Sequence, residues 1–356
     1  MVVRARRRPA VALAVLLAAA GGSGACGAAS PSPVGVGTAQ DSPAGPGAAP
    51  GGSGGATGPS GTTGPSGATG PLAALTLPVF PATDPWNKPV DRAPRDPASD
   101  LLVASIGADG HLHPDFGAGS GTATGGGPFG IPYVVVDGTQ EPVPVTFDDA
   151  AESDPGPYPI PPDAPVEQGS DAHVLVVDRD RHLLYELYAA HRRADGTWHA
   201  GSGAVFGLDT DAPRPAGWTS ADAAGLPILP GLVRYDEVAA GRIGHALRFT
   251  VSTSRRAYVA PARHAAGSTT SASAPPMGMR LRLRASYDVS GYPPQARTVL
   301  AALQTYGMIV ADNGSDWYLS GTADPRWDDD QLDTLKDVPG SAFEVVEPGP
   351  TTVVGS

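Results

Sequence analysis

Apolar and polar positions alternate at two distinct periods along this chain of 356 residues. Short apolar runs bounded by Gly, Pro and Asp recur as GIPYVVVDG, VPVTF, AHVLVVDRDRHLLYELY, LRFTVST, MRLRLRASYD and FEVVE. Runs of this kind, roughly four to eight residues between turn formers, predict β-strands. In HVLVVDRDRHLLYEL the apolar run breaks at Asp178, Arg179 and Asp180 and resumes at Leu183, the pattern of a hairpin with a polar tip. In MRLRLRASYD, Met279, Leu281 and Leu283 alternate with Arg280, Arg282 and Arg284. Period two places the three guanidinium groups on one face, where they meet solvent and carboxylates or line an anionic site.

One segment has the helical period. In PPQARTVLAALQTYG, Ala296, Val299, Leu300, Leu303 and Tyr306 recur at three- and four-residue spacing between entry prolines and Gly307. Weaker helical turns are expected at 221–224 and 329–336. The run MIVAD reads as a buried strand paired with DWYLSG across the Asn313-Gly314 turn. Together these elements predict a mainly β domain, sandwich or jelly-roll-like, with one packed α-helix near the C-terminus.

Composition changes the picture at the N-terminus. Arg4, Arg6, Arg7 and Arg8 precede an apolar run from Ala10 to Ala20, which suits a signal-peptide core and is too short for a mature membrane span. Ser23, Gly24 and Ala25 then lead into Cys26, the sole cysteine, in a pattern that resembles the bacterial lipobox. The resemblance implies cleavage before Cys26 and lipidation of its thiol; Ser23 departs from the aliphatic residue usual three positions upstream. The alternative is an ordinary secretory signal followed by an incidental cysteine. A single cysteine excludes an internal disulfide framework.

Residues 26–75 consist almost wholly of Gly, Pro, Ser, Ala and Thr, with Asp41 the only charge, and predict a disordered tether. Gly stands at every third position from Gly55 to Gly70, the collagen period, but over too short a stretch for a stable triple helix. All aromatic residues lie between Phe80 and Phe343, which places one folded body at 76–348 and a disordered tail at 349–356. The formal net charge of −12, with no basic patch outside the first eight residues, argues against nucleic-acid binding.

The densest polar stretch runs from Trp218 to His264 and supplies the candidate site. Asp222 and Glu237 offer the paired carboxylates that glycoside hydrolysis requires. Trp218 and Tyr235 offer stacking surfaces for a sugar ring, and Arg234 offers a further polar contact. Alternatively, His245 and Tyr258 act as base and acid of a lyase while Arg248 neutralises a uronate carboxylate. His264 is a further candidate acid–base group. The competing view makes Arg234, Asp236, Glu237 and Arg248 a salt-bridge network at strand ends.

Two other groups carry weaker signals. HLHPDFG alternates His111, His113 and Asp115, a pattern found in metal sites, although the Gly-rich stretch after it argues for a loop and no metal is assigned. ADNGSDWYLSGTADPRWDDD gathers Asp312, Asp316, Asp324 and three acids from Asp328 to Asp330; turn and capping roles compete here with calcium binding. No cofactor motif, P-loop or nucleophile elbow is present.

Finally, RPAGWTSADAAGLPILPGLVRYDEV, YVAPARH, PPMGMRLRLRASYD and YGMIVADNGSDWYLSG resemble a family of secreted proteins from soil bacteria of actinobacterial type, for which no activity is established. The resemblance implies that residues 76–348 form one evolutionary unit. The expectation is a monomeric cell-surface lipoprotein, held to the membrane through Cys26, whose β-rich domain acts on an extracellular polysaccharide by glycosidase or lyase chemistry. The alternative is a non-catalytic glycan-binding or cell-envelope interaction domain.

Overall fold

The strand signals resolve into two larger sheets with a segment of irregular chain between them. The computed structural model describes residues 75, 78–119 and 126–355, all within one compact unit spanning 67–356. The signal segment, Cys26 and the tether apart from Leu75 lie outside the described residues.

The first half of the unit contains α1 (Ser99–Ile106), β1 (His113–Asp115), β2 (Tyr133–Val136), β3 (Val145–Phe147), β4 (Val174–Asp178) and β5 (Leu183–Tyr188). It continues with β6 (His191–Arg192), β7 (Trp198–Ala200), β8 (Ser202–Gly207), α2 (Tyr235–Ala239) and β9 (Leu247–Val251). Then come β10 (Ala257–Val259), β11 (Arg280–Leu283), α3 (Pro294–Thr305), β12 (Met308–Asn313) and β13 (Tyr318–Ser320). The chain closes with α4 (Asp329–Asp333), β14 (Phe343–Val345) and β15 (Thr351–Val353). Strand outweighs helix, and the fold is β-rich.

The largest sheet has the order β1-β13-β9-β12-β11-β14. Its β1/β13 and β12/β9 pairs are parallel and its other pairs antiparallel, so the ladder is mixed. The direct pairing of MIVAD with DWYLSG does not occur, because β9 lies between β12 and β13. Residues 314–317 instead cross the end of β9. Gly314 donates its N–H to the Val251 carbonyl (3.0 Å), Thr250 Oγ1 donates to the Ser315 carbonyl (2.6 Å), and Asp316 Oδ1 accepts the Ser252 N–H (2.7 Å). Leu247, Phe249 and Val251 of β9 are fully buried, as a central strand requires.

The apolar side of this sheet packs on α3, whose predicted stripe of Ala296, Val299, Leu300 and Leu303 is buried, and on α1 through Leu102, Val103 and Ile106. The sequence pattern did not single out α1 or α2. The turn at 329–336 is present, with Asp328 capping α4 by accepting the Gln331 N–H at 3.1 Å. No helix forms at 221–224, where the Ser220 hydroxyl instead accepts the Asp222 N–H (2.9 Å), a local bond that competes with helical pairing. The three guanidinium groups of MRLRLR meet carbonyls and a carboxylate. Arg280 donates to the carbonyls of Tyr306, Pro85 and Lys88, and Arg282 pairs with Glu344.

The second sheet, β2-β4-β5-β8, contains the predicted hairpin of β4 and β5 and is buried on both faces. One face meets β3-β7-β6 and the Tyr158 and Ile160 strap; the other meets Ala221, Ile228, Leu229 and Leu232 of the intervening segment. Residues 349–356, expected as a disordered tail, include β15. Its β-branched residues pair antiparallel with β10, matching Val259 to Thr351 and Ala257 to Val353.

Candidate functional site

The larger sheet has one face that is not apolar. Register places His113, Tyr318, Thr250 and Asp312 in one cross-strand row, and pairs Asp115 with Ser320 in the next. Residues directly paired across strands project from the same face, and residues two apart along a strand share it. Arg248, two residues before Thr250, belongs to this face and donates from Nη1 to Ser320 Oγ at 2.6 Å. The His113 and Tyr318 rings stack at 4.1 Å.

A β-bulge determines that Asp312 belongs here. Val310 pairs with Phe249 whereas Asp312 pairs with Thr250, so one extra residue, Ala311, is accommodated in β12. Without it, Asp312 would take the next position and turn toward the apolar side with Val251. Bulges commonly re-aim a side chain in this way. The Ala311 carbonyl accepts the Ala224 N–H at 2.9 Å, which ties the loop bearing Asp222 to the bulge.

Arg248 is the centre of the face. Its Nε and Nη2 donate to Asp222 Oδ2 (3.2 Å) and Oδ1 (2.9 Å), a bidentate pair with both side chains buried. Asp312 Oδ2 stands 3.6 Å from Nη2, with 23% of its side chain open to solvent. Burial and the neighbouring Asp222 charge push the Asp312 carboxyl up to about 7, against the pull of Arg248. Asp115 is exposed, yet the surrounding protein and the charges of Glu167 and Asp171 push its carboxyl up as well, opposed by His113 and Arg248.

Two acids from the second sheet's side of the molecule hold the arrangement. Burial opposes the charge of His173, but its Nδ1 bond to Glu167 Oε2 wins and raises its pKa, while Glu167 is lowered. His173 Nε2 contacts the Ala221 carbonyl (3.2 Å). With an acceptor at each nitrogen, the ring is the doubly protonated form. Glu186 accepts the N–H groups of Ile228 (2.8 Å) and Leu229 (2.9 Å) and is pushed up to about 7 by burial. It thereby fixes the tight turn at Leu229–Gly231, whose Gly231 lies against Arg248: a Cβ there would meet the Trp86 ring at 2.7 Å and Arg248 Cβ at 3.0 Å.

The residues singled out from the sequence divide into separate groups. Asp222 and Arg248 come together on the polar face. Glu237, Arg234 and His245 form a different buried cluster, with Glu237 Oε2 2.6 Å from Arg234 Nη2 and 3.0 Å from His245 Nε2. His245 Nδ1 donates to the Ala246 carbonyl (2.7 Å) and Nε2 lies 3.0 Å from both Arg234 Nη2 and Glu237 Oε2; burial and Arg234 lower its pKa against the pull of Glu237. No hydrogen bond or ion pair links Glu237 to Asp222 among the described residues. His264 Nδ1 donates to the Ala223 carbonyl (2.7 Å). Trp218 receives the Arg214 guanidinium 5.5 Å from its ring. Tyr235 packs edge-on to Trp327 and carries Arg326 over its ring, and Tyr258 is buried in β10 opposite Thr352.

Asp115 and Asp312 entered the sequence reading only as parts of metal-like motifs. No group of three or more His, Cys, Asp or Glu side chains among the described residues is arranged to hold a metal ion. His111 instead contacts the Lys336 carbonyl through Nδ1 (2.6 Å), and Asp324 pairs with Arg326. Glu167 and His173, six residues apart, match no metal or catalytic motif, and Glu186 acts through Ile228 and Leu229, more than forty residues away. No protein family, curated protein or solved structure matches this chain.

Proposed function

We propose that the β-rich body is an acid–base enzyme that hydrolyses an extracellular polysaccharide, carried on a cell-surface lipoprotein anchored through Cys26. The observation that carries this reading is two raised carboxyls on one sheet face, Asp312 beside the Arg248–Asp222 pair and Asp115 on β1, across β9 and β13 from it. Hydrolysis of a glycosidic bond needs one carboxyl protonated near neutral pH and a second ionised. Asp312, partly open and pushed up to about 7, is the acid; Asp115, more exposed, is the base or nucleophile. Tyr188, 39% exposed and under the charge influence of Asp312 and Asp171, offers a ring for sugar stacking. The two larger sheets with the Asp222 loop between them support a sandwich-like arrangement rather than an all-antiparallel jelly roll.

The test is incubation of the full chain and its Asp312→Asn variant with plant and bacterial polysaccharides. New reducing ends from the wild type alone support hydrolysis. Unsaturated products would establish a lyase, and glycan retention in gels without any product would establish a binding module.

A further inference from the structure

A cavity of about 210 Å³ lies apart from the polar face: none of Asp115, Asp222, Arg248 and Asp312 lines it. Its walls include Phe80, Trp86, Phe206, Leu226 and Pro261, and two acids, Asp84 and Asp211, line it with them. Asp84 is only 7% exposed. Its Oδ1 accepts the Trp86 N–H at 2.8 Å, which caps the turn Pro85–Asn87, and its Oδ2 receives no donor among the described residues. Burial, with the charge of Asp211, pushes the Asp84 pKa up against the Trp86 N–H and the charges of Lys88 and Arg280. Arg280 is not paired with it and gives its donors to the carbonyls of Tyr306, Pro85 and Lys88. Asp211 is exposed, and its carboxyl accepts no hydrogen bond and joins no ion pair among the described residues. Two arginines also line the cavity. Arg214 is committed: it pairs with Asp154, donates to the carbonyls of Thr219 (2.8 Å) and Glu152 (2.9 Å), and sets its guanidinium 5.7 Å from the Phe206 ring centre. Arg263 donates from Nε to the Arg214 carbonyl (2.9 Å) and has no carboxylate partner among the described residues. The cavity therefore carries two unpaired carboxyls against one unpaired guanidinium, set among apolar and aromatic walls.

We infer that this cavity binds a small organic ammonium ion, with its charge at Asp84 and its carbon groups against the apolar walls. At about 210 Å³ the space is smaller than pockets for drug-sized ligands and suits a molecule of a few carbons. A buried carboxylate with no donor on one oxygen is costly to maintain, and an ammonium group supplies the missing partner. Aromatic rings add attraction for a desolvated cation, greatest for Trp. Trp86 is fixed in place for this role. Its N–H bonds to Asp84, its carbonyl accepts the Ala246 N–H at 2.7 Å, and Gly231 makes room for its ring, where a Cβ would come within 2.7 Å. A metal ion is a poorer occupant, because no three acidic or His side chains among the described residues are grouped to hold one. Binding here is independent of the acid–base reading of the polar face.

The test is isothermal titration of the full chain with choline, its uncharged isostere neohexyl alcohol and its anionic counterpart tert-butylacetate. Choline is expected to bind at least about tenfold more tightly than either. Asp84→Asn keeps a side-chain oxygen for the Trp86 N–H, so the turn holds, and the preference for choline is expected to fall to about threefold or less. Asp211→Lys, at an exposed position, is expected to weaken choline binding by about threefold or more with stability unchanged, and it carries the test if Asp84→Asn does not fold. No choline binding up to about 10 mM overturns the inference, as does equal binding of the alcohol or an unchanged preference in both variants. Tighter binding of tert-butylacetate overturns it as well, since Arg263 would then govern the cavity. Each of these outcomes leaves polysaccharide hydrolysis to be read separately from Asp312→Asn.

Discussion

Arg248 grips Asp222 through two parallel hydrogen bonds, Nε to Oδ2 at 3.2 Å and Nη2 to Oδ1 at 2.9 Å, inside a protein layer where neither side chain reaches solvent. The pair joins strand β9 to an irregular loop that is otherwise ordered by hydrogen bonds to Ala311, His173, Ser202 and His264. Removing only Asp222 strands a buried guanidinium, so Asp222→Ala is expected to cost about 3–5 kcal/mol, read by urea unfolding. Replacing both partners together, as Arg248→Met with Asp222→Leu, is expected to restore most of that stability without restoring activity. Loss of less than about 1 kcal/mol in Asp222→Ala would contradict the buried pair.

The bulge at Ala311 gives a second expectation. Deleting Ala311 regularises β12 and rotates Asp312 toward the apolar side that holds Phe249 and Val251. A carboxylate there has no partner, and the Ala224 N–H loses its carbonyl. Thermal unfolding should show a loss of roughly 2–5 kcal/mol. Unchanged stability would mean that the bulge does not aim Asp312.

The strands and α3 were legible because their burial has a simple period: Val174 to Val177 is an unbroken run, and Ala296, Val299, Leu300 and Leu303 recur every three or four residues. Strand order was not legible. MIVAD and DWYLSG are neighbours in sequence with a turn between them, yet β9, buried through Leu247, Phe249 and Val251, takes the place between them and the turn passes over its end. The Asp222 and Arg248 pair lay within the polar stretch from Trp218 to His264, so local density of charge pointed to it. Glu237 stood in the same stretch but turned to Arg234, three residues away, because α2 brings them together. Asp115 and Asp312 are nearly 200 residues apart, and only strand pairing places them on one face.

Glu237 and His245 should therefore act on stability rather than on chemistry. Glu237→Gln leaves the buried Arg234 without its counter-charge and is expected to cost about 3 kcal/mol in urea unfolding. Its rate per folded molecule should stay within about threefold of wild type. A rate loss beyond a hundredfold in a folded Glu237→Gln protein would return Glu237 to the catalytic machinery.

The shifted groups also set how stability follows pH. Glu186 is raised from its ordinary 4.5 to about 7, so the folded chain holds a proton that the unfolded chain has released, and stability falls as pH rises across that interval. His173 is raised above its ordinary 6.5, so its contribution is complete below 6.5 and is lost as pH rises through its folded value. Glu167 is lowered, so its contribution is complete above 4.5 and is lost as pH falls through its own folded value. Urea unfolding should therefore show stability declining from pH 4.5 upward through neutrality. Glu186→Gln should make that decline shallower below about 7, leaving the part that the raised Asp312 contributes. A wild-type profile that rises over the same interval would contradict these assignments.

In the proposed hydrolytic reaction Asp312 is the acid and Asp115 the base or nucleophile. The most direct measurement is the pH dependence of kcat/KM for reducing-end release from a neutral polysaccharide, compared among wild type, Asp312→Asn and Asp115→Asn. A bell whose alkaline limb lies near 7 is expected, with a loss of about 10²–10⁴-fold in each variant with folding intact. Wild-type rates in both folded variants, or an alkaline limb unmoved by Asp312→Asn, would contradict it.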